Sequence, residues 1–90
     1  MDVIVRPDGT EIPAPEPEKE DGSYSLEQLN EIVGGYIQIL EAHDGRCVVI
    51  NEEGKLENLE PNVRATAMVG LFPGDYLVGD VLFCDQKHMK

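Results

Sequence analysis

Residues 24–35, Tyr-Ser-Leu-Glu-Gln-Leu-Asn-Glu-Ile-Val-Gly-Gly, leave little freedom of conformation. Ser25 is a good helix N-cap, and Gln28 three residues on can return a bond to the cap's own N–H, which completes a capping box. Tyr24 just before the cap and Leu29 at the fourth helical position are spaced for a hydrophobic staple. Leu26, Leu29, Ile32 and Val33 make one apolar stripe. Gly34-Gly35 stops the helix, because glycine adopts the left-handed C-terminal conformation without penalty. The spacing predicts a helix over 26–33. Two turns do not hold by themselves in water, so the stripe must lie on something, and the rest of the chain offers strands.

Val3-Ile4-Val5 is a short β-branched run ended by the turn Pro7-Asp8-Gly9. In the next stretch Pro13, Pro15 and Pro17 at alternate positions exclude both a helix and a central strand, which leaves polyproline II or an extended segment along an edge, read as a solvated linker or as an acidic arm for a basic partner. Residues 36–41 alternate, with Ile37 and Ile39 on one face. His43-Asp44-Gly45 predicts a hairpin turn, for which Asp-Gly suits type I′. Arg46 to Ile50 is nearly all apolar and predicts a strand covered on both faces. Asn51 to Lys55 is a polar turn, with Leu56 and Leu59 as apolar pegs after it. Asn62 can cap a short helix through Met68 ended by Gly70, and a strand over 66–69 competes with it. After a turn at Phe72–Asp75, residues 76–83 predict a last strand with Leu77, Val81 and Phe83 on one face and Gly79 at a bulge. The fold expected is α+β: a small antiparallel sheet of four to five strands with one short helix (26–33) packed on one face, and the 36–42/46–51 hairpin at its centre. Residues 1–23 form an N-terminal strand plus an acidic, proline-rich arm, and residues 24–90 a single α+β domain. The apolar runs 47–50 and 81–83 would be sticky as open edges, and a homodimer is one way to cover them.

Charge narrows the functions. The 90 residues carry 18 Asp+Glu against 7 Lys+Arg, a formal net charge of −11. Residues 1–22 hold seven acids and two bases, residues 23–60 eight and two, and residues 61–90 three of each. Direct nucleic-acid binding rests on Lys and Arg displacing counterions, and anionic membrane surfaces repel such a chain. No apolar run approaches the ~20 residues of a membrane-spanning helix, and no secretory signal is visible at the N-terminus. Two cysteines, Cys47 and Cys84, then fit free thiols in a cytoplasmic, reducing compartment.

Catalytic signals are weak. His43 sits in a turn and His88 near the C-terminus, and neither has a context that positions a nucleophile beside a base. No glycine-rich phosphate loop is present, and no cofactor is implied. His43-x-x-x-Cys47 and Cys84-x-x-x-His88 mirror one another, so Cys2His2 zinc is conceivable if the last strand pairs near the hairpin. The spacing fits no known ribbon or knuckle, and Cys47 within an apolar strand reads as a buried structural residue. Neither a metal nor a Cys47–Cys84 disulfide is expected. Glu52, Glu53, Glu57 and Glu60 lie in a polar turn, where they stay solvated and ionised, unsuited to acid–base catalysis and suited to meeting a basic partner. Arg64, the one base between Lys55 and Lys87, is a salt-bridge anchor or an anion contact. With Asn62, Asp80 and the 74–80 loop it is the best candidate for a small-ligand site.

Four segments resemble one family: Tyr24 to Ile37, Val49 to Leu56, Leu59 to Thr66 and Gly74 to Leu82. In that order they are similar to small proteins of phages, plasmids and conjugative elements known only as a domain of unknown function. The acidic, proline-rich stretch 11–22 departs from the pattern, in which the connection before the helix is shorter. The resemblance implies no catalytic residues and no cofactor. It implies a mobile-element setting, in which small acidic proteins serve as accessory or anti-defence factors. The function expected is a non-catalytic acidic module that engages a basic host protein. The alternatives are a nucleotide- or anion-binding protein and a structural protein with no ligand.

Overall fold

The computed structural model describes residues 2–70 and 75–89. Within them five strands form one sheet: β1 (Val3–Val5), β2 (Glu11–Pro13), β3 (Ile37–Glu41), β4 (Cys47–Asn51) and β5 (Val81–Cys84). Helix α1 (Leu26–Val33) precedes β3, helix α2 (Val63–Val69) lies between β4 and β5, and a 3-10 turn (Gln86–His88) follows β5. The sheet order is β2-β1-β5-β4-β3, with every neighbouring pair antiparallel.

Helix α1 has the expected ends. Ser25 Oγ accepts from Gln28 N–H at 3.1 Å, and Gln28 Oε1 accepts from Ser25 N–H at 3.1 Å. Tyr24 and Leu29 are both buried, in one cluster with Ile4, Val33, Val49, Leu82 and Cys84. A second cluster on the other face joins Val5, Val48, Val81 and Phe83 to Ala65 and Val69 of α2. The sheet therefore carries a helix on each face, not one. The segment after Asn62 is helical, because Asn62 Oδ1 accepts from Ala65 N–H at 3.0 Å and so caps it.

Three expectations are corrected. The 36–51 hairpin is not central: β5 is the middle strand and β3 an outer one. All four β5 residues are fully buried, which a continuous apolar run requires, whereas Gln38 and Glu41 suit β3 to an edge. The last strand is four residues rather than eight, because Gly79 (φ +72°) leaves the extended conformation. Residues 77–79 pair instead with 60–62, through Asn62 N–H to Leu77 O and Gly79 N–H to Glu60 O, both 2.8 Å. A Cβ on Gly79 would also sit 2.8 Å from Leu59 Cδ1. The β3–β4 turn is not type I′. Only Gly45 (φ +88°) has positive φ there, and Gly45 N–H donates to Ala42 O at 2.9 Å, so the loop is three residues long with glycine at the left-handed position. The turn expected at 72–75 falls outside the described residues except for Asp75.

The proline-rich segment hugs the edge. Pro13 ends β2, Ala14 N–H donates to Asp2 O at 3.0 Å, and Gln28 holds the continuation through Glu18 N–H (2.9 Å) and Glu16 O (2.8 Å). Residues 2–23 thus contribute an inner strand, an edge strand and a strap to the same sheet.

Candidate functional site

The loop that carries the four candidate glutamates is anchored by one buried side chain. Asn51 Oδ1 accepts from Glu53 N–H at 2.8 Å, while its Nδ2 donates to Val33 O at 3.2 Å and to Glu57 Oε1 at 3.0 Å. Backbone bonds Glu57 N–H to Glu53 O (3.0 Å) and Leu59 N–H to Gly54 O (3.1 Å) complete it. Glu52, Glu53, Glu57 and Glu60 are all exposed. Only two of them meet. Glu53 and Glu57 line a hollow of about 290 Å³ with Asn30, Gly35, Tyr36 and Asn51. Glu52 belongs to a hollow of about 250 Å³ with Gln38, Leu40, Leu56 and Tyr76 among its walls. Glu60 faces a third, of about 350 Å³, beside Glu31 and Asp80.

The three candidate ligand residues do not converge. Asn62 is fully buried, and besides its cap its Nδ2 donates to Val5 O at 2.9 Å and Gly79 O at 2.8 Å. Every polar group of its side chain is used in holding α2, β1 and the 77–79 segment together. Arg64 is bridged to Glu11 of β2, its Nε donating to Oε2 at 2.6 Å. Asp80 lies with carboxylates, not with the guanidinium. Lys55 bonds Asp75 at 2.9 Å and lies 4.4 Å from the Tyr76 ring centroid. That hydrogen bond, with one from Tyr76 N–H, holds the Asp75 carboxyl below its usual range.

The His/Cys set is also divided. Cys47 and Cys84 are direct cross-strand neighbours on β4 and β5, both as free thiols. Burial pushes Cys84 up to about 12 and raises Cys47 as well, so neither is an activated thiolate. His43 lies against Gly70 at the end of α2. His88 Nδ1 is 2.6 Å from Asp2 Oδ2, to which Tyr24 Oη donates at 2.8 Å, while Asp85 N–H donates to Asp2 Oδ1 at 3.0 Å. Burial pushes the Asp2 carboxyl up, but the bonds from Tyr24, Asp85 and His88 outweigh it and set the group below its usual range. Among the described residues no group of three or more metal-capable side chains is assembled. No nucleophilic hydroxyl or thiol there is hydrogen-bonded to either imidazole.

Sequence reading missed the outer edge of β3. Tyr36 O accepts from Glu52 N–H at 2.9 Å and Ala42 N–H donates to Arg46 O at 2.8 Å, so the even-numbered residues face β4. By alternation the N–H and C=O groups of Ile37, Ile39 and Glu41 point away from the sheet. Among the described residues β3 pairs with β4 alone. Tyr36 (70 %), Ile39 (51 %) and Leu56 (84 %) are exposed around this edge. The absence of proline and lysine in Ile37–Glu41 was the available signal, and it is informative only once the strand is known to be outermost.

A family model described as "Domain of unknown function (DUF3846)" matches residues 1–89. The chain belongs to this family. The DUF3846 match takes in the proline-rich stretch as well as the segments from Tyr24 onward. No curated protein and no solved structure gives a significant match to the chain. Among the described residues no helix is long and apolar enough to cross a membrane.

Proposed function

We propose that this DUF3846 protein is a non-catalytic binding module whose acidic face engages a basic partner protein. One observation carries the reading. Arg46, Lys55 and Arg64 are each bridged to a carboxylate of the chain itself, Asp44, Asp75 and Glu11, whereas Glu52, Glu53, Glu57 and Glu60 stand exposed. The face around the 52–60 loop is left with uncompensated negative charge, which steers and selects a positive partner. The resemblance to mobile-element proteins supports an accessory or anti-defence role, and the basic surface of a host nucleic-acid-binding protein is the matching target. Two free thiols suit a reducing cytoplasm. An anion or nucleotide site has less support, since Arg64 is spent on Glu11 and lines none of these hollows.

The test is affinity capture from host lysate at ~50 and ~300 mM salt, where the screening length falls from about 14 to about 6 Å. The comparison is wild type with a Glu52/Glu53/Glu57/Glu60→Gln variant. A set of basic proteins held by wild type at low salt, and lost with high salt or with the variant, is the expected result. Equal capture by both proteins, or capture of acidic proteins, contradicts the reading.

A further inference from the structure

The two edges of the sheet are built differently. β2 is three residues long, ends in Pro13, and runs on into Pro15 and Pro17. Such an edge does not accept another strand, because short length and missing N–H groups deny it a ladder. β3 is five residues long and has no proline, no lysine and no bulge. Its outward groups belong to Ile37, Ile39 and Glu41, and among the described residues nothing pairs with them.

One hollow lies at the start of this edge, beside Tyr36, and another lies along its opposite face. Asn51 lies opposite Ile37 and bonds Val33 of α1, so the hollow of Asn30, Tyr36, Asn51, Glu53 and Glu57 is on the α1 face. Its side chains offer two carboxylates, an amide and a phenol ring. Asn30 Oδ1 is buried behind these groups and accepts no hydrogen bond among the described residues. Acceptors, negative charge and an exposed ring suit a guanidinium or ammonium group. The second hollow meets β3 at Gln38 and Leu40, whose side chains take the opposite face. Leu40, Ile50, Leu56 and Tyr76 make its walls largely apolar.

We propose that the β3 edge takes up an extended segment of a basic partner protein as a sixth, antiparallel strand. Its basic side chains enter the Glu53–Glu57 hollow and its apolar ones the Leu40–Leu56 hollow. Successive side chains of a strand point to opposite faces, so the segment recognised alternates basic with apolar residues. The charge of −11 and the carboxylates of Glu41, Glu52, Glu53 and Glu57 around the edge favour a cationic strand over a second copy of this chain. This inference rests on the basic-partner reading and specifies how that partner is held.

The alternation also fixes which amides matter. In an antiparallel ladder the residues bonded to Ile37, Ile39 and Glu41 have side chains on the same face as those three, which is the face of the basic positions. The test uses labelled ten-residue peptides of equal composition, one alternating Arg with Val and one with all Arg before all Val, read by fluorescence anisotropy. The alternating peptide is expected to bind about tenfold more tightly than the blocked one, the scale of a few ladder hydrogen bonds. N-methylation at its Arg positions should abolish that advantage, and N-methylation at its Val positions should leave it. Ile39→Pro removes one outward N–H and should weaken the alternating peptide only. The N-methylated peptides give the answer with wild-type protein if that variant fails to fold. Salt-sensitive binding that is equal for alternating, blocked and N-methylated peptides overturns strand addition and leaves the basic-partner reading standing. No binding of any peptide at ~50 mM salt overturns both. A dimer in sedimentation that Ile39→Pro makes monomeric assigns the edge to a second copy and overturns the proposal.

Discussion

Two residues far apart in role show how much one side chain decides here. Asn62 reads from the sequence as a helix cap, and it is one. Its other two bonds, to Val5 O and Gly79 O, span 57 and 17 residues of chain, and no local pattern announces contacts at that range. Asn62→Ala removes three hydrogen bonds to buried backbone groups, and should cost about 3 kcal/mol in urea unfolding, against near-neutral exposed substitutions. Asp2 binds Tyr24, Asp85 and His88 and so fastens both ends of the chain to α1. Its carboxyl is held below the ordinary 3.8 in the fold. The stability it adds is therefore complete above that ordinary value and is lost as pH falls through the lower folded one. Asp2→Asn should destabilise by about 2 kcal/mol at neutral pH. The gap between variant and wild type should close in acid, as urea midpoints across pH would record.

At the scale of elements, local chemistry was legible and neighbourhood was not. The capping box and staple of α1 lie within six residues, so sequence alone located the helix and its ends. The alternating prolines left residues 13–17 as polyproline II, an extended edge segment or a solvated linker, and only the contacts to Asp2 and Gln28 decide between them. Sheet order failed because a hairpin signal says which strands are joined, not which strand lies next to the pair. β5 won the centre through four buried side chains, and Gly79 cut that strand short in a way a bulge does not. Gln28 gives a further test of this scale. It closes the capping box and also holds Glu16 and Glu18, so Gln28→Ala removes three hydrogen bonds where Ser25→Ala removes one. Ser25→Ala should cost about 1 kcal/mol and Gln28→Ala about 2 kcal/mol. Only the latter should increase amide exchange across residues 14–22.

Over the whole molecule, composition foretold the negative field but not where it is left open. The sequence grouped Glu52, Glu53, Glu57 and Glu60 as one patch, whereas the fold turns them toward three hollows and joins only Glu53 with Glu57. It also set Arg64 beside Asn62 and Asp80, whereas folding bonds Arg64 to Glu11 and Asn62 to Val5 and Gly79, and leaves Asp80 in a hollow with Glu31 and Glu60. What folding adds is a strand edge, that of β3, which pairs with nothing beyond β4 among the described residues. The basic-partner account is tested most directly by amide chemical shifts of labelled protein titrated with the alternating Arg–Val peptide at low salt. It predicts shifts concentrated at Ile37, Ile39, Glu41 and residues 51–57, with Arg64, Asn62 and Asp80 unmoved. Shifts centred on Arg64 and Asp80, or none at saturating peptide, would contradict it.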